Sequence, residues 1–260
     1  MKFVCQKCGK CCKNLKASIG FEGLEIYNKV MSKGLIYFLI KPEDFSLGLF
    51  EWEKERLEKE AENLNIKLNI KSATVVFDVN GTAIITSWVL DSDVCPFFDN
   101  KNNCRIYDKR PLTCQTFPII SHNFLFTLLA KEKNIKLRYG TICPNVVTTN
   151  LGMETYLEEI IPKMIEIYGD TFYSAIKEEY GLFWINRTLS ILFAKGKIKT
   201  TKFSFEEAME KAKKSSIPLN QYLLKNNLIT NDELSKTIKD IESLEVAIDV
   251  IRDLLKKLEK

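Results

Sequence analysis

The chain has 260 residues, of which 45% are hydrophobic and 28% are charged, and its formal net charge is +4 at pH 7. This balance is typical of a folded protein and excludes an intrinsically disordered chain. The net charge is too small to predict a nucleic-acid partner. Since no apolar run approaches the roughly 18 residues of a membrane-spanning helix, we expect no membrane partner either.

The start of the sequence and the cysteine count together predict how the cysteines are used. The first residues, Met1–Cys5, are not followed by the apolar stretch of a secretion signal, so we expect a cytoplasmic protein. Eight cysteines in a chain of this length are too few for a disulfide scaffold, and all of them lie before residue 144. Clustered cysteines in a cytoplasmic chain predict metal binding or catalysis.

Helical periodicity begins early in the chain. The apolar spacing predicts a helix from Phe21 to Met31, with Gly34 placed to end it. Residues 51–63 are rich in Glu and Lys and predict a second helix, charged and on the surface. Two β-rich runs follow these helices, so the pattern changes from helix to strand.

The β-rich runs predict a hairpin. Thr74–Val79 and Thr82–Leu90 are separated by Asn80–Gly81, which is a strong signal for a two-residue turn. Such a turn would place Phe77 opposite Ile84 on one face of the strand pair. Further along, residues 91–118 are predicted to be irregular.

The chain changes character after the last cysteine. Phe124–Ala130 and Ile135–Tyr139 are strand-like, and Cys143–Pro144 closes this region. Beyond it we predict helices over 153–168, 171–195, 204–214, 219–226 and 231–259. The last of these is expected to begin at the capping box Thr230–Glu233.

These elements predict an α+β protein. We expect a small β-hairpin or sheet region with irregular cysteine-rich loops around a metal site, followed by a mainly helical C-terminal part. The cysteine distribution places the boundary between the two near residue 148. The predicted domains are a metal-binding domain, 1–148, and a helical domain or extension, 149–260.

The cysteines form two groups. The first group is a compact Cys-x2-Cys-x2-Cys-Cys run, and the second is spread along the chain. Spacing by two residues lets successive thiolates turn towards one small centre, and distant cysteines can complete the shell, which couples metal binding to folding. The predicted metal ligands are Cys5, Cys8, Cys11, Cys12, Cys95, Cys104, Cys114 and Cys143.

The ligand pattern favours iron–sulfur over zinc. Structural zinc usually has paired C-x2-C knuckles or Cys/His sets, whereas the second group has no C-x2-C and His122 is the only histidine. The first group is nearer to the ferredoxin-type run, in which a distant Cys-Pro also serves. We therefore expect a 4Fe–4S cluster, with zinc as the alternative. Adjacent Cys11 and Cys12 cannot easily reach one cluster together, so they should serve different centres or roles.

Basic residues surround the first cysteine group. No acidic residue occurs before Glu22, and the chain places five lysines in this stretch: Lys2, Lys7, Lys10, Lys13 and Lys16. These charges would stabilise an anionic cluster. The same residues are equally consistent with a solvated loop.

Arg110 and Pro111 allow two interpretations. Arg110 could bind an anion or support the cluster, or it could pair with Asp108 or a backbone carbonyl while Pro111 starts a short helix. The second interpretation is slightly preferred. Tyr107 and Phe117 are expected to pack around the site and exclude water.

The two cysteine groups together resemble a known family. The first group, followed by Cys-x-Ile-Tyr-x2-Arg-Pro-x2-Cys-x2-Phe-Pro over 104–118, is similar to the CxxCxxCC cysteine-cluster family. This family is a YkgJ-type zinc- or iron-chelating domain whose members are often labelled Fe–S oxidoreductases. The resemblance covers residues 1 to about 145. Flagellin lysine methylases have a similar cysteine pattern, which adds an S-adenosylmethionine-linked role to the alternatives.

Three function classes remain open from the sequence. The first is a metal-cluster protein with a redox or electron-transfer role, which implies a redox partner protein. The second is a zinc-stabilised structural or interaction module. The third is a cluster-dependent enzyme, with Fe–S oxidoreductase or methyltransferase-like activity. The oligomeric state and the substrate are not determined by the sequence.

Overall fold

Helices and short strands both contribute to the fold, with 51% helix and 15% strand. The predicted α+β class is confirmed. The computed structural model describes residues 2–16, 21–99, 101, 103–121, 134–135, 138–140, 142–147 and 155–258. Within these residues, no helix combines the length and the apolar character needed to cross a membrane.

In the sequence, helices both precede and follow the two central strands, Ile70–Asp78 and Ala83–Leu90. In chain order they are α1 Phe21–Ser32, α2 Glu51–Asn63, α3 Leu112–Thr116, α4 Leu157–Tyr168, α5 Asp170–Ala194, α6 Phe205–Lys214, α7 Leu219–Lys225, α8 Asn231–Glu242 and α9 Leu244–Leu258. Short 3-10 turns occur at Pro42–Asp44 and Tyr107–Lys109.

The strands are short apart from one central pair. They are β1 Tyr37–Phe38, β2 Leu47–Leu49, β3 Ile70–Asp78, β4 Ala83–Leu90, β5 Ile119–Ser121, β6 Asn134–Ile135, β7 Arg138–Tyr139, β8 Thr155–Tyr156, β9 Ile198–Lys199 and β10 Ser216–Pro218. The predicted strand over 124–130 and His122 lie outside the described residues.

The chain divides into two compact units, and neither is continuous in sequence. Unit 1 comprises Met1–Cys11, Asn100–Trp184 and Lys236–Lys260, and unit 2 comprises Cys12–Asp99 and Ile185–Ser235. Each unit takes segments from both sides of residue 148, so the compact units do not coincide with the predicted domains. The assignment of metal binding to 1–148 and of a separate helical part to 149–260 stays a prediction.

Unit 2 is built on a mixed sheet, with six strands among the described residues. The long strands β3 and β4 pair antiparallel at its centre. Strands β1 and β9 pair with β3, and β2 and β10 pair with β4; of these, β10 alone runs parallel to its neighbour. The sequence did not predict β9 or β10, because runs of two or three residues carry no periodicity.

The hairpin is confirmed, but its predicted register is wrong by one residue. Phe77 pairs with Ala83, and Val76 pairs with Ile84. The loop therefore has three residues, and Gly81 takes a positive φ of 86°, as the glycine of such loops does. The Asp78 carboxylate stabilises this loop because it accepts hydrogen bonds from the backbone N–H groups of Asn80, at 2.9 Å, and Thr82, at 2.8 Å.

The core of unit 2 forms between the sheet and α6. Tyr37, Val75 and Phe77 are almost completely buried and pack against Ala208 of α6. The Tyr37 hydroxyl donates a 2.7 Å hydrogen bond to the Thr201 carbonyl, so the ring is held at both ends. This is a conventional hydrophobic core, which stabilises the unit by removing apolar surface from water.

The end of α1 depends on a glycine, as predicted. Gly34 has a φ of 64°, and its N–H donates to the Met31 carbonyl. A Cβ at this position would overlap the Thr201 carbonyl oxygen. Both the backbone conformation and the close approach therefore require glycine here. The helix itself ends at Ser32, one residue beyond the predicted Met31.

The core of unit 1 is mainly helical. Ile160, Ile161 and Met164 of α4 are fully buried and pack with Phe172 of α5 and Ile251 of α9. The strands of this unit are two-residue or three-residue pieces, with β5 pairing β7 and β6 pairing β8. Within its described residues, unit 1 therefore has a hydrophobic core formed by helices and only short strands beside its loops.

Three predicted helices need correction. The helix predicted from 153 begins at Leu157, after β8. The long helix predicted over 231–259 is interrupted at Ser243, whose Oγ accepts a hydrogen bond from the Val246 N–H and so caps α9. The charged helix α2 is not a pure surface helix, because Glu51 and Leu57 are buried. The Thr230–Glu233 capping box is confirmed by reciprocal hydrogen bonds.

Candidate metal centre

Every one of the eight cysteines lies in the described part of the chain, and none of them forms a disulfide bond there. Two are exposed and six are half-buried. Six belong to unit 1, namely Cys5, Cys8, Cys11, Cys104, Cys114 and Cys143. Unit 2 contains Cys12 and Cys95. The candidate ligands are therefore concentrated in unit 1.

Thiols from both cysteine groups come together in unit 1. Burial raises the pKa of the Cys104 thiol, and the thiols of Cys11 and Cys5 raise it further. Burial also raises the pKa of Cys143, and there Cys8, Cys11 and Cys5 add to the effect. Cys5, Cys8 and Cys11 therefore act on the pKa of Cys104 or Cys143, which lie up to 138 positions away in the sequence and belong to the same unit. We call these five cysteines the unit 1 thiol group.

Backbone amides oppose the effect of burial at both distant cysteines. The Ile106 N–H donates to the Cys104 sulfur and the Asn145 N–H donates to the Cys143 sulfur, and each bond lowers the thiol pKa. In both cases the donor lies two residues after the cysteine. Hydrogen bonds to sulfur stabilise a thiolate, which is the form that binds metals.

The unit 1 thiol group is not a finished coordination shell. No set of three or more Cys, His, Asp and Glu side chains within the described residues is arranged so that it could hold a metal ion. The donors are nevertheless the soft thiolates that zinc and iron–sulfur clusters use, in sufficient number for one four-ligand site. The residues present therefore fit such a group, and binding it would draw the thiols further inward.

The adjacent cysteines Cys11 and Cys12 belong to different units. Cys11 contributes to the unit 1 thiol group. Cys12 instead accepts, through its carbonyl, a 2.7 Å hydrogen bond from the backbone N–H of Cys95, which is also in unit 2. This arrangement supports the expectation that the two neighbours serve different centres or roles, which stays a prediction.

Cys114 lies on the short helix α3, which is fixed to unit 1 by side-chain contacts. Pro111 precedes the first residue of this helix, as predicted. The Thr113 hydroxyl donates a 2.8 Å hydrogen bond to Glu178 of α5. The hydroxyl of Ser174, which is also on α5, donates to the Gln115 side chain at 3.2 Å. The helix is therefore held in place by contacts that do not involve a metal.

Arg110 binds a backbone carbonyl, as in the interpretation that the sequence analysis preferred. Its Nε donates a 2.8 Å hydrogen bond to the Tyr107 carbonyl, and its guanidinium carbon lies 3.7 Å from the centre of the Tyr107 ring. The Lys7 ammonium lies 4.1 Å from the centre of the same ring. Two cations therefore contact one aromatic ring, next to the unit 1 thiol group.

The lysines predicted to surround the cluster have varied partners. Lys16 is engaged by three carboxylates, those of Asp44, Asp91 and Asp93, at 3.4 to 3.7 Å. Lys13 lies over the Phe98 ring. The charge of Lys16 is therefore compensated, which the sequence could not indicate because its acidic partners lie far along the chain.

Tyr168 is a positioning residue that the sequence analysis did not single out. Its hydroxyl donates a 2.5 Å hydrogen bond to the Val147 carbonyl and so anchors the segment that follows Cys143. Its ring stacks on Tyr139 and contacts Phe3, with ring centres 5.8 and 5.3 Å apart. Tyr168 therefore links both ends of the cysteine region to α4. The sequence analysis could not identify this role, because Tyr168 fits the apolar face of a helix like an ordinary core residue.

Comparison with known proteins identifies the family. A family model described as "CxxCxxCC: Putative zinc- or iron-chelating domain" matches residues 4–144, which include all eight cysteines and more than half of the chain. The chain belongs to this family, and the resemblance drawn from its motifs is confirmed. Zinc or iron chelation is thus its general activity. No curated protein and no solved structure matches the chain.

Proposed function

We propose that the chain binds a 4Fe–4S cluster and transfers electrons to or from a redox partner protein. The observation that carries the proposal is the unit 1 thiol group, which joins Cys5, Cys8 and Cys11 to two cysteines of the second group. A cubane cluster needs four thiolates, and this group supplies five.

The first cysteine group supplies three of the proposed ligands. Cys5, Cys8 and Cys11 have the ferredoxin-type spacing, and Cys104 or Cys143 would provide the fourth ligand. Cys143 is followed by proline, as in ferredoxin-type runs. Cys12, Cys95 and Cys114 are proposed to have separate ligand roles, so that all eight cysteines remain candidate metal ligands.

The surroundings of the thiols support a cluster rather than an exposed zinc knuckle. Cys104 and Cys143 are half-buried, and both accept hydrogen bonds from backbone amides. Burial and hydrogen bonds to sulfur are two of the means by which proteins set a cluster potential. A bound cluster would supply one-electron redox chemistry, and the residues of this chain would hold and shield it.

Metal analysis of anaerobically purified protein tests the proposal. We expect about four irons and about four sulfides per chain, and a brown colour with absorbance near ~400 nm that bleaches on reduction. A colourless protein with about one zinc per chain would contradict the cluster and its redox role, while keeping the general chelating activity. Well-folded protein without iron or zinc would contradict both.

A further inference from the structure

Unit 1 contains a cleft of about 500 Å³ beside Cys5. This volume is within the range of small-molecule sites. Aromatic rings of Tyr107 and Phe117 contribute to its walls, and residues 165–171, from the end of α4 to the start of α5, complete them. Arg110 also lines the cleft. The cleft therefore combines apolar surface with a cation, next to a proposed cluster ligand.

The Arg110 guanidinium is held rigidly. Its Nε is bonded to the Tyr107 carbonyl, its face lies on the Tyr107 ring, and its own carbonyl accepts a 2.5 Å hydrogen bond from the Gln115 side chain. No ion pair of Arg110 is found within the described ranges of the chain. The Arg110 side chain also donates a hydrogen bond to the Tyr107 hydroxyl. The remaining N–H groups of its two terminal amino groups are donors in a fixed plane, which suits a carboxylate.

Other polar groups of the cleft already have partners. Gln115 donates to the Arg110 carbonyl and accepts from the Ser174 hydroxyl, and that hydroxyl also contacts the Asp170 carbonyl. These groups hold the wall together. Arg110 is thus the half-buried lining residue whose charge and donors best suit a ligand.

The exposed charges of the cleft restrict the charge of the ligand. Lys2, Glu166 and Asp170 line the cleft and are exposed. Two carboxylates balance the two cations, Arg110 included, and an anionic cluster held by Cys5 would add negative charge, so a ligand is attracted by the local donors of Arg110 and not by a net positive charge. A dianion would gain little from Arg110 and would be repelled by the two carboxylates. A single carboxylate on an apolar body fits both the charge and the aromatic walls.

We infer that this cleft binds a small monocarboxylate with an aromatic or apolar body, and that Arg110 receives its carboxylate. The bound molecule would lie beside Cys5, so the cleft is a substrate or effector site next to the cysteine centre. The inference goes beyond the proposed function and does not depend on which metal the thiols bind.

Titration calorimetry on the full chain, purified anaerobically with its metal, tests the inference. The probes are benzoate, its neutral analogue benzamide and the dianion phthalate. We expect benzoate to bind at least ~10-fold more tightly than benzamide, which cannot form a charge-assisted hydrogen bond with Arg110, and than phthalate, whose second carboxylate is repelled by Glu166 and Asp170. Arg110→Gln should weaken benzoate binding by ~10-fold or more. Lys109→Gln removes a neighbouring exposed cation outside the cleft and should change affinity less than ~2-fold.

A second variant keeps the test decisive if Arg110→Gln misfolds. Thr171→Phe adds bulk to the cleft wall and leaves Arg110 unchanged in the sequence, and it should also abolish benzoate binding. Equal binding of benzoate and benzamide, or unchanged affinity in Arg110→Gln, would overturn the inference. So would absent benzoate binding to a metal-loaded wild-type chain. Metal content measured on the same samples separates these results from failure of the proposed function.

Discussion

Unit 2 and unit 1 each have a different internal construction. In unit 2, the nine-residue β3 and the eight-residue β4 form a continuous ladder, and the sheet packs on α6 through a buried core. In unit 1, the described strands have only two or three residues, and the cysteines lie in irregular segments or on a five-residue helix. Both units have a hydrophobic core. Because the cysteine loops of unit 1 are not part of a long strand ladder, we expect them to depend on metal binding for their order, whereas unit 2 should not.

Removal of one central ligand should have the largest effect on unit 1. Cys8→Ser is expected to lose nearly all of the bound metal, because serine is a poor ligand for soft metals. The matched control is Val4→Ala, an exposed side chain in the same segment that cannot bind a metal. Metal-to-protein ratios after anaerobic purification check this. A Cys8→Ser protein with full metal content would show that the first cysteine group is not the primary ligand set.

Truncation of a large side chain in the core of unit 2 should have the opposite effects: it should lower stability and leave the metal content unchanged. Phe77 is 1% exposed at the centre of the unit 2 core, so Phe77→Ala should lower the free energy of unfolding by about 3–5 kcal/mol. The metal-to-protein ratio of the folded fraction should stay unchanged. Chemical denaturation with Val79→Ala as the exposed control measures this. A parallel loss of metal at native conditions would show that the two units are not stabilised separately.

Gly140 offers a smaller and more local test of unit 1. A Cβ at Gly140 would overlap the Phe117 ring, which lines the cleft. Gly140→Ala should therefore cost about 1–3 kcal/mol through overpacking. Phe117→Leu in the same chain should recover part of that loss, while Ile142→Ala, at a nearby exposed position, should have little effect. Additive effects of Gly140→Ala and Phe117→Leu in thermal unfolding would contradict the contact.

The smallest expected effect is the contribution of Glu51 to the pH dependence of the free energy of unfolding, and it concerns unit 2 only. Burial raises the pKa of Glu51 from 4.5 to about 7, although the backbone N–H of Asn220 donates to its carboxylate at 3.1 Å. Because the folded-state pKa is raised, the neutral form is favoured on folding. The stabilisation is complete below pH 4.5 and is lost as the pH rises towards 7.

Glu51→Gln should remove this pH dependence. Between pH 5 and pH 8 the wild-type free energy of unfolding should fall by roughly 1–2 kcal/mol more than that of the variant. Glu62→Gln, at an exposed position of the same helix, should retain the wild-type profile. Parallel profiles for Glu51→Gln and the wild type in urea denaturation would exclude a buried, neutral Glu51.

The sequence was sufficient to predict the elements that depend only on neighbouring residues. The hairpin, the glycine that ends α1 and the Thr230 capping box are each determined by residues within a few positions of one another. The register of the hairpin was wrong because the Asp78 side chain binds two loop amides and so favours a three-residue loop. A turn dipeptide alone does not contain that information.

Non-local features could not be predicted from these patterns. Strand β10 pairs with β4 across more than 120 residues, and its three residues have no strand signal of their own. The sequence predicted all eight cysteines as ligands, and the family match spans them all, but their distribution between the units depends on tertiary structure. Likewise, the cleft depends on the turn between α4 and α5, which no cysteine motif indicates.

Hydrogen exchange with and without metal tests the central claim most directly, namely that the metal organises the cysteine loops of unit 1 and leaves unit 2 to its own core. The chain purified with its metal is compared with the same chain after anaerobic chelation. We predict that amide exchange in 2–11, 103–110 and 142–147 accelerates by at least ~10-fold on metal removal, while β3 and β4 keep their protection. Equal protection of the cysteine segments in both samples would contradict the account.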